Sequence, residues 1–393
     1  MRILITTDLF TTATNGVATS VKNLWNGLKG RGHDVRILTL SENTKSYKDG
    51  EVYYIRSMPI GVVYPNARMP LSYRHKLIKE LIDWKPDIIH SQCEFFTMQF
   101  ATWIARKTHA PIVHTYHTMY EQYVGYVGIS EKFGRSTVSF LTKKRLNKVS
   151  LVIAPTPKVK EVLKSYSLPK PIQVIPSGIN LDQHKTRLDF EKRREMRNAL
   201  GITDDKIALV NLGRLGTEKN VDELIAYFAK VVPTHENLVF LIVGDGPARE
   251  QLEKQAKELG VQDSVIFAGM VDPSQVQDYY QLGDIFVSAS TSEAQGLTYV
   301  EAAANGLPLL CRHDACLENV IRQGENGYEY NNEKEFVAYL DAMLDSDEWR
   351  LNAGKLSEEI SASFDRAAFG ESMEKAYTHL LKKRKQLLEK KQK

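Results

Sequence analysis

Leu238-Val239-Phe240-Leu241-Ile242-Val243, followed at once by Gly244-Asp245-Gly246-Pro247, decides the fold class. An unbroken apolar run puts hydrocarbon on both faces of a pleated strand, which is stable only where helices cover the sheet on each side. Such a strand belongs in the middle of a parallel sheet. Around it, Ile207–Leu212, Val265–Ala268, Ile285–Ser288 and Leu307–Cys311 are further short β-rich runs, each followed by a helix-length segment. The N-terminal half has the same alternation. Strands are expected at Arg2–Thr7, Val35–Leu40, Val52–Ile55, Asp87–His90, Ile112–Thr115, Leu151–Ala154 and Gln173–Ile175. Helices are expected at Val17–Gly30, Tyr73–Trp84, Thr97–His109, Glu131–Val149 and Lys158–Tyr166. Strand and helix in alternation specify a doubly wound α/β sheet, and here the pattern runs twice.

The restart follows Pro176-Ser177-Gly178-Ile179-Asn180 and a charged helical stretch near Phe190–Leu200. We therefore expect a Rossmann-like domain over residues 1–180 and a second over 181–369. From residue 370 we expect a helix and basic tail that pack back toward the first domain. Two such sheets in tandem leave a cleft between them, and parallel sheets hold ligands at the carboxyl ends of their strands.

With 393 residues, 42% hydrophobic and 25% charged, the chain is long enough for two domains and lies at the globular average. No apolar run approaches the ~18–20 residues of a membrane-spanning helix. MRILITTDLF reads as a first strand, not a signal peptide, so a cytoplasmic protein is expected. Cys93, Cys311 and Cys316 are too few for a disulfide framework and none has zinc spacing to a histidine, so reduced thiols are expected. The net charge of +4 hides a division: residues 1–180 hold 25 Lys and Arg against 12 Asp and Glu, whereas residues 181–381 hold 20 against 35. The tail from 382 is basic again. A basic first half suits anionic lipid, nucleic acid or a phosphorylated substrate, and the acidic half faces water.

Glycine-bearing loops after strands are the first candidates for chemistry. Asn15-Gly16-Val17 opens a helix after the first strand, where Gly16 would let the backbone approach an anionic group. Gly213-Arg214-Leu215 and Gly244-Asp245-Gly246-Pro247 close strands of the second domain, but neither completes the dinucleotide fingerprint, and the P-loop pattern is missing. Dehydrogenase and P-loop chemistry lose most of their weight.

Ser292-Glu293-Ala294-Gln295-Gly296-Leu297-Thr298-Tyr299-Val300-Glu301 is the most informative segment. It follows the strand Ile285–Ser288, so Glu293 falls in a loop at the carboxyl end of the sheet. Gly296 permits a tight approach, and Leu297 and Thr298 open a helix whose free N–H groups suit phosphate oxygens. Glu301 lies one turn down the same face as Leu297. Two carboxylates flanking an anion site are acceptors for sugar hydroxyls at both ends of a pyrophosphate, which describes a nucleotide sugar. Arg214 and Lys219, in the loop Gly213–Asn220, supply cations for the leaving group. In the first domain, His114-Thr115-Tyr116-His117-Thr118-Met119-Tyr120 ends a strand. His114 reads as structural, and His117 lies beyond the apolar run, where it is able to project into the cleft.

Taken together, the Glu293–Glu301 segment, the Gly-Arg-Leu…Glu-Lys-Asn loop, Tyr116-His117-Thr118 and the Pro176–Asn180 hinge resemble retaining glycosyltransferases of family four over nearly the whole chain. The variants Glu-Ala-Gln-Gly-Leu-Thr-Tyr-Val-Glu and His-Thr-Tyr-His-Thr-Met-Tyr are most similar to the bacterial diacylglycerol α-glucosyltransferases among them. The resemblance implies the GT-B fold, two Rossmann-like domains facing a cleft. It also implies UDP-glucose as donor, with Glu301 on the ribose and Glu293 on a donor-sugar hydroxyl. The diphosphate would be held by Arg214, Lys219 and the backbone of Gln295, Gly296, Leu297 and Thr298. By the same resemblance Gly16 closes over the diphosphate, His117 contacts the transferred sugar, and the backbone at Ile266 holds the base. Two positions depart from the family pattern: Asn15 precedes Gly16 where relatives often have glycine, and Asn180 stands where Asp is common.

The implied chemistry retains anomeric configuration and requires neither a protein nucleophile nor a metal. Asp345-Ser346-Asp347, the single Asp-x-Asp, is expected to be a solvated turn. The implied acceptor is diacylglycerol, at the inner face of the cell membrane. Tyr73, Leu77, Ile78, Leu81 and Ile82 form an apolar stripe beside basic residues. A second basic region holds Lys132, Arg135, Lys143, Lys144, Arg145 and Lys148 with Phe133, Phe140 and Leu141. Both suit peripheral docking on an anionic surface, and both are equally ordinary as sheet-covering helices with solvated basic faces. Three other readings stand beside this one: a same-fold enzyme with a soluble or polyol-phosphate acceptor, a nucleotide-sugar epimerase, and a nucleic-acid-binding protein using the basic half. The last leaves Glu293 and Glu301 without a role, so no nucleic-acid partner is expected.

Overall fold

A computed structural model of the chain describes residues 1–10, 15–60, 67–119 and 131–392. The chain forms two compact units, Met1–Ile179 together with Arg366–Lys393, and Asn180–Asp365.

In the first unit β1 (Arg2–Thr6) leads to α1 (Gly16–Gly30), β2 (Asp34–Ser41), β3 (Tyr47–Asp49), β4 (Val52–Pro59), β5 (Arg68–Pro70) and α2 (Lys76–Asp83). There follow β6 (Ile88–Ser91), α3 (Phe96–Thr108), β7 (Ile112–Thr115), α4 (Glu131–Leu146), β8 (Leu151–Ala154), α5 (Pro157–Ser165) and β9 (Ile172–Val174). The sheet runs β3-β4-β2-β1-β6-β7-β8-β9, with β5 also on β4. Its strands are parallel except β3 and β5, which run antiparallel to β4. β1 is central because Ile3, Leu4 and Ile5 are apolar on both faces and fully buried. Asn15 starts α1 by accepting from Ala18 N at 2.9 Å.

The second unit begins with α6 (Leu181–Lys185) and α7 (Phe190–Ala199), then β10 (Ile207–Leu212), α8 (Val221–Val231), β11 (Leu238–Val243), α9 (Arg249–Glu258), β12 (Val265–Gly269) and α10 (Val276–Tyr280). It continues through β13 (Ile285–Ser288), α11 (Leu297–Ala304), β14 (Leu309–Arg312), β15 (Gly327–Tyr330), α12 (Glu333–Leu344) and α13 (Asp347–Ser361). The sheet order is β12-β11-β10-β13-β14-β15, and all its pairs are parallel. Every residue of β11 is buried, as its unbroken apolar run requires. The charged helix α7 is anchored rather than solvated: Arg197 is buried, donating to the carbonyls of Leu282 at 2.8 Å and Lys206 at 2.6 Å.

The chain then returns to the first unit. α14 (Arg366–Gln392) starts at Arg366, whose N–H donates to Ile179 O at 2.9 Å. It crosses α1 so closely that a Cβ at Gly27 would meet Arg366 O at 2.4 Å, and one at Gly370 would meet Gly27 C at 2.7 Å. Further along, Tyr377 is fully buried and its hydroxyl bonds His90 Nδ1 on β6 at 2.6 Å.

Three strands were not expected from the sequence. β3 is fully exposed, β5 contains a proline, and β15 reads Gly-Tyr-Glu-Tyr, so none has the apolar run that marks an interior strand. α2 starts at Lys76 instead of Tyr73, because His75 Nδ1 accepts from Leu77 N at 3.2 Å and fixes the start there. Tyr73 precedes the helix and packs on Phe100 with ring centroids 4.7 Å apart. Of Asp345-Ser346-Asp347, Asp345 and Ser346 link α12 to α13 and Asp347 opens α13, with Ser346 as its N-cap, Oγ accepting from Trp349 N at 3.1 Å.

In both sheets the winding direction reverses at the first strand: β1 lies between β2 and β6, and β10 between β11 and β13. The carboxyl ends of β1 and β6, and of β10 and β13, are therefore the places where loops diverge and leave room for ligand.

Candidate active site

In the second unit, β10 and β13 are parallel neighbours, so the loops that follow them leave the sheet side by side. Side chains tie the two loops together. Asn220 Nδ2 donates to Ala289 O at 3.0 Å, and Ser292 Oγ donates to Glu218 O at 3.3 Å. Lys219 forms an ion pair with Glu293, and Ser290 Oγ donates to Glu293 Oε1 at 2.9 Å. Arg214 is ion-paired with Glu218, whose side chain is buried, while the Arg214 side chain is 43% exposed. Arg214 and Lys219, expected to face an anion, are thus each held by a carboxylate of their own unit.

Gly296 follows Glu293 in the left-handed conformation, with φ 72° and ψ 71°. A Cβ there would come within 2.3 Å of the Tyr299 ring, so both backbone and space demand glycine. The turn opens α11 at Leu297, and Gly296, in the N-cap position, has no side chain with which to cap the helix. Gln295 is buried, while Leu297 and Thr298 are half-buried. Glu301 sits one turn along, where Tyr280, fully buried on α10, donates its hydroxyl to Oε2 at 2.9 Å. Burial pushes the Glu301 carboxyl above its ordinary range, and the Tyr280 hydroxyl acts in the opposite direction. Ile266 is half-buried on β12, the edge strand two places from β10. At the carboxyl end of the sheet, by the glycine-opened start of α11, this unit therefore brings together two cations, Arg214 and Lys219, and three carboxylates, Glu218, Glu293 and Glu301.

The first unit has its own polar group at the corresponding end. Gly16 is exposed as the first residue of α1. His117, half-buried just beyond β7, has Nε2 2.7 Å from Gln92 Oε1. Burial pushes its imidazole pKa down to about 4, against a smaller upward pull from Glu94. His114 is fully buried and bonds Glu94 Oε1 at 3.0 Å, which is the structural role expected of it. Asp8 accepts from Thr97 N at 2.8 Å and Thr97 Oγ1 at 2.5 Å, holding the start of α3 against β1. Tyr120 lies outside the described residues, and the side chains of Lys132, Phe133 and Arg135 are likewise not described. All three cysteines are free thiols, with Cys311 and Cys316 buried. Among the described residues no cluster of three or more His, Cys, Asp or Glu is arranged to hold a metal ion.

The model of Glycosyltransferase Family 4 matches residues 14–183, and that of Glycosyl transferases group 1 matches residues 192–359. An alpha-monoglucosyldiacylglycerol synthase of Streptococcus pneumoniae is 36% identical over 363 residues, spanning 92% of this chain and 82% of that one. The chain belongs to the family 4 glycosyltransferases.

A second relative of this glycosyltransferase, the alpha-monoglucosyldiacylglycerol synthase of Acholeplasma laidlawii, is 29% identical over the full length of both chains. Among solved structures, Anabaena HepE in complex with UDP shares the fold with a TM-score of 0.75 at 17% identity, covering 96% of this chain and 100% of that one. WaaG, a glycosyltransferase involved in lipopolysaccharide biosynthesis, has a TM-score of 0.71 at 19% identity, covering 96% and 99%. The GT-B fold class expected from the sequence is thereby established.

Sequence reasoning missed four partners of the glycosyltransferase's candidate residues: Glu218 for Arg214, Ser290 for Glu293, Tyr280 for Glu301 and Gln92 for His117. Ser290 and Glu218 lie within a few residues of their partners and were open to inspection. Tyr280 and Gln92 are brought in by the sheet, and no local spacing signals them.

Proposed function

We propose that this glycosyltransferase moves glucose from UDP-glucose to the free hydroxyl of 1,2-diacylglycerol, with retention of configuration, at an anionic membrane surface. The observation that carries the reading is the Ser290–Glu301 segment. A helix start opened by left-handed Gly296 lies between two carboxylates, in a chain 36% identical to an alpha-monoglucosyldiacylglycerol synthase.

In this reading Glu301, held by Tyr280, takes the ribose hydroxyls, and Glu293 takes a hydroxyl of the transferred sugar. Arg214, Lys219 and the amides at Gln295, Gly296, Leu297 and Thr298 take the diphosphate, while Ile266 backbone holds the base. From the first unit, Gly16 serves the diphosphate and His117 the sugar. The bond from anomeric carbon to phosphate oxygen breaks as the acceptor oxygen bonds that carbon from the same face, and the acceptor proton passes to the departing phosphate. Catalysis is then positioning plus stabilisation of leaving-group charge. The carboxylates now paired with Arg214 and Lys219 restrict the rotamers of those side chains, which lowers the ordering cost when phosphate oxygens take over.

No described helix is long and apolar enough to cross a membrane. Peripheral docking is supported by α4, where Phe140 and Leu141 are 64% and 51% exposed beside the exposed Lys144. An exposed aromatic next to cations suits the interface, each cation contributing about 1 kcal/mol near an anionic leaflet. α2 does not present its apolar stripe in this way, since Leu77, Ile78 and Leu81 are buried.

The test is a radiolabelled panel of UDP-glucose and UDP-galactose with diacylglycerol in mixed micelles, the product linkage determined by NMR. An α-linked glucosyl lipid is expected. Transfer confined to a water-soluble acceptor overturns the acceptor assignment. For docking, Phe140→Ser with Leu141→Ser is expected to lower co-sedimentation with phosphatidylglycerol vesicles, and unchanged binding overturns that part.

A further inference from the structure

We propose that Gln92 is a positioning residue for His117, accepting the Nε2 proton through its amide oxygen and so presenting Nδ1 as a lone pair to a sugar hydroxyl. The inference rests on the assignment of His117 to the transferred sugar. It names the group that decides how the ring is used.

Gln92 follows β6 directly, its N–H fixed to Thr6 O at 2.8 Å, so its backbone is part of the sheet's carboxyl edge. Gln92 is 2% exposed, and among the described residues its side chain makes one hydrogen bond, to His117 Nε2 at 2.7 Å. The amide nitrogen, Nε2 of Gln92, is buried without a partner among the described residues. A buried donor left unpaired costs about 1–3 kcal/mol, a cost the fold bears here while the other end of the same amide satisfies His117 Nε2. What the amide supplies in return is an oxygen aimed at the ring. An amide oxygen only accepts, so the nitrogen facing it must carry the proton, and the other ring nitrogen is left as an acceptor.

His117 Nδ1 has no partner among the described residues, and the ring is half-buried, so this lone pair is open to a ligand. The titratable groups facing the ring are Glu94, which favours its protonation, His114, which opposes it, and the buried His90 on β6, whose own protonation His117 opposes; burial outweighs the pull of Glu94 and keeps the His117 ring neutral. Neutrality matters because a protonated ring has no lone pair at all. His114 lies on β7 itself and is held by Glu94, so Gln92 and Glu94, two residues apart in one loop, fix the two histidines by separate partners, one a neutral amide and one a carboxyl group. The neutral partner is the one facing the histidine assigned to substrate.

The test compares wild type, Gln92→Met, Gln92→Glu and His117→Asn, each checked for folding by thermal melting. Imidazole 15N shifts in 15N-histidine-labelled protein report the tautomer without reference to activity. Wild-type His117 is expected to be neutral with the proton on Nε2, and Gln92→Met is expected to lose that preference. With UDP-glucose and diacylglycerol, Gln92→Met should lower kcat about ten- to a hundredfold while leaving the donor KM within about twofold. Gln92→Glu places an anion at the same point and should move the acid limb of the kcat profile up by about 1–3 pH units.

A wild-type ring protonated on Nδ1 overturns the proposal. So does an unshifted acid limb in Gln92→Glu, a result available even should Gln92→Met fail to fold. If wild type transfers no sugar, or His117→Asn keeps the full rate, the functional reading fails instead, and the tautomer still decides what Gln92 does to the ring.

Discussion

Lys219, in the loop after β10, and Glu293, in the loop after β13, are ion-paired although they lie 74 residues apart in sequence. The cation assigned to the diphosphate and the anion assigned to the sugar therefore fix one another's position. Glu293→Gln should lower kcat by about 10²–10³, the usual cost of removing a group aimed at the reacting centre. Lys219→Met should lower kcat/KM comparably. The double variant should cost clearly less than the product of the two, because each single change already disturbs its partner. A double-mutant cycle on kcat/KM checks this, and strictly multiplicative losses would show two independent residues.

Tyr280→Phe removes the hydroxyl that Glu301 accepts and changes little else, since the ring stays buried. With that donor gone, the Glu301 carboxyl should titrate still higher. The donor KM is expected to rise about five- to tenfold, the equivalent of one hydrogen bond of about 1 kcal/mol, with kcat nearly unchanged. Steady-state kinetics at varied UDP-glucose distinguish this from the opposite split, which would place Glu301 on the reacting sugar instead of the ribose.

Gly296→Ala brings two penalties together. The left-handed backbone costs a non-glycine residue about 1–2 kcal/mol. In addition the new Cβ would lie 2.3 Å from the Tyr299 ring, so the turn that presents the Leu297 and Thr298 amides must move. Affinity for UDP should fall more than tenfold by calorimetry, together with a lower Tm. A variant that binds UDP normally would separate the diphosphate from this helix start.

His184, buried on α6, has its imidazole pKa pushed down to about 4 by burial, with Arg187 adding to the effect. Its Nδ1 accepts from Asn305 Nδ2 at 2.9 Å, a bond that requires the neutral ring. The unfolded chain takes up this proton below an ordinary pKa near 6.5, and the folded chain only below about 4. Between those values the unfolded state holds more protons, so stability falls as pH drops from about 6.5 to about 4. The loss through this one group is at most about 3 kcal/mol. Denaturant melts at pH 7 and pH 4.5 on wild type and His184→Gln test this: the substitution should remove part of the pH dependence, and an unchanged slope would assign it elsewhere.

Interior strands were legible because burial on both faces leaves a one-dimensional mark. Leu238–Val243 and Ile207–Leu212 occur in the sheet with the bounds expected of them. Edge strands carry no such mark. β15 is held by pairing with β14 while its residues alternate only weakly, and β3 is exposed throughout. α2 was expected three residues too early because Tyr73 continues the apolar stripe; the cap at His75 decides its start, and a histidine cap is weak evidence in sequence. At the candidate site, Glu293, Gly296 and Glu301 were legible because one loop and one helical turn fix their relation locally.

The order of residues by itself determined two doubly wound α/β units, the glycine turn between two carboxylates, and the division of charge between the halves. These follow from periodicity, backbone stereochemistry and composition, which need no knowledge of distant contacts. Only the tertiary structure decided which residue holds which: Lys219 against Glu293, Tyr280 under Glu301, Gln92 against His117, and α14 on α1 through Gly27 and Gly370. Such pairings arise where a sheet sets the ends of separate strands side by side, and that proximity is a property of strand order, which no local stretch of sequence encodes.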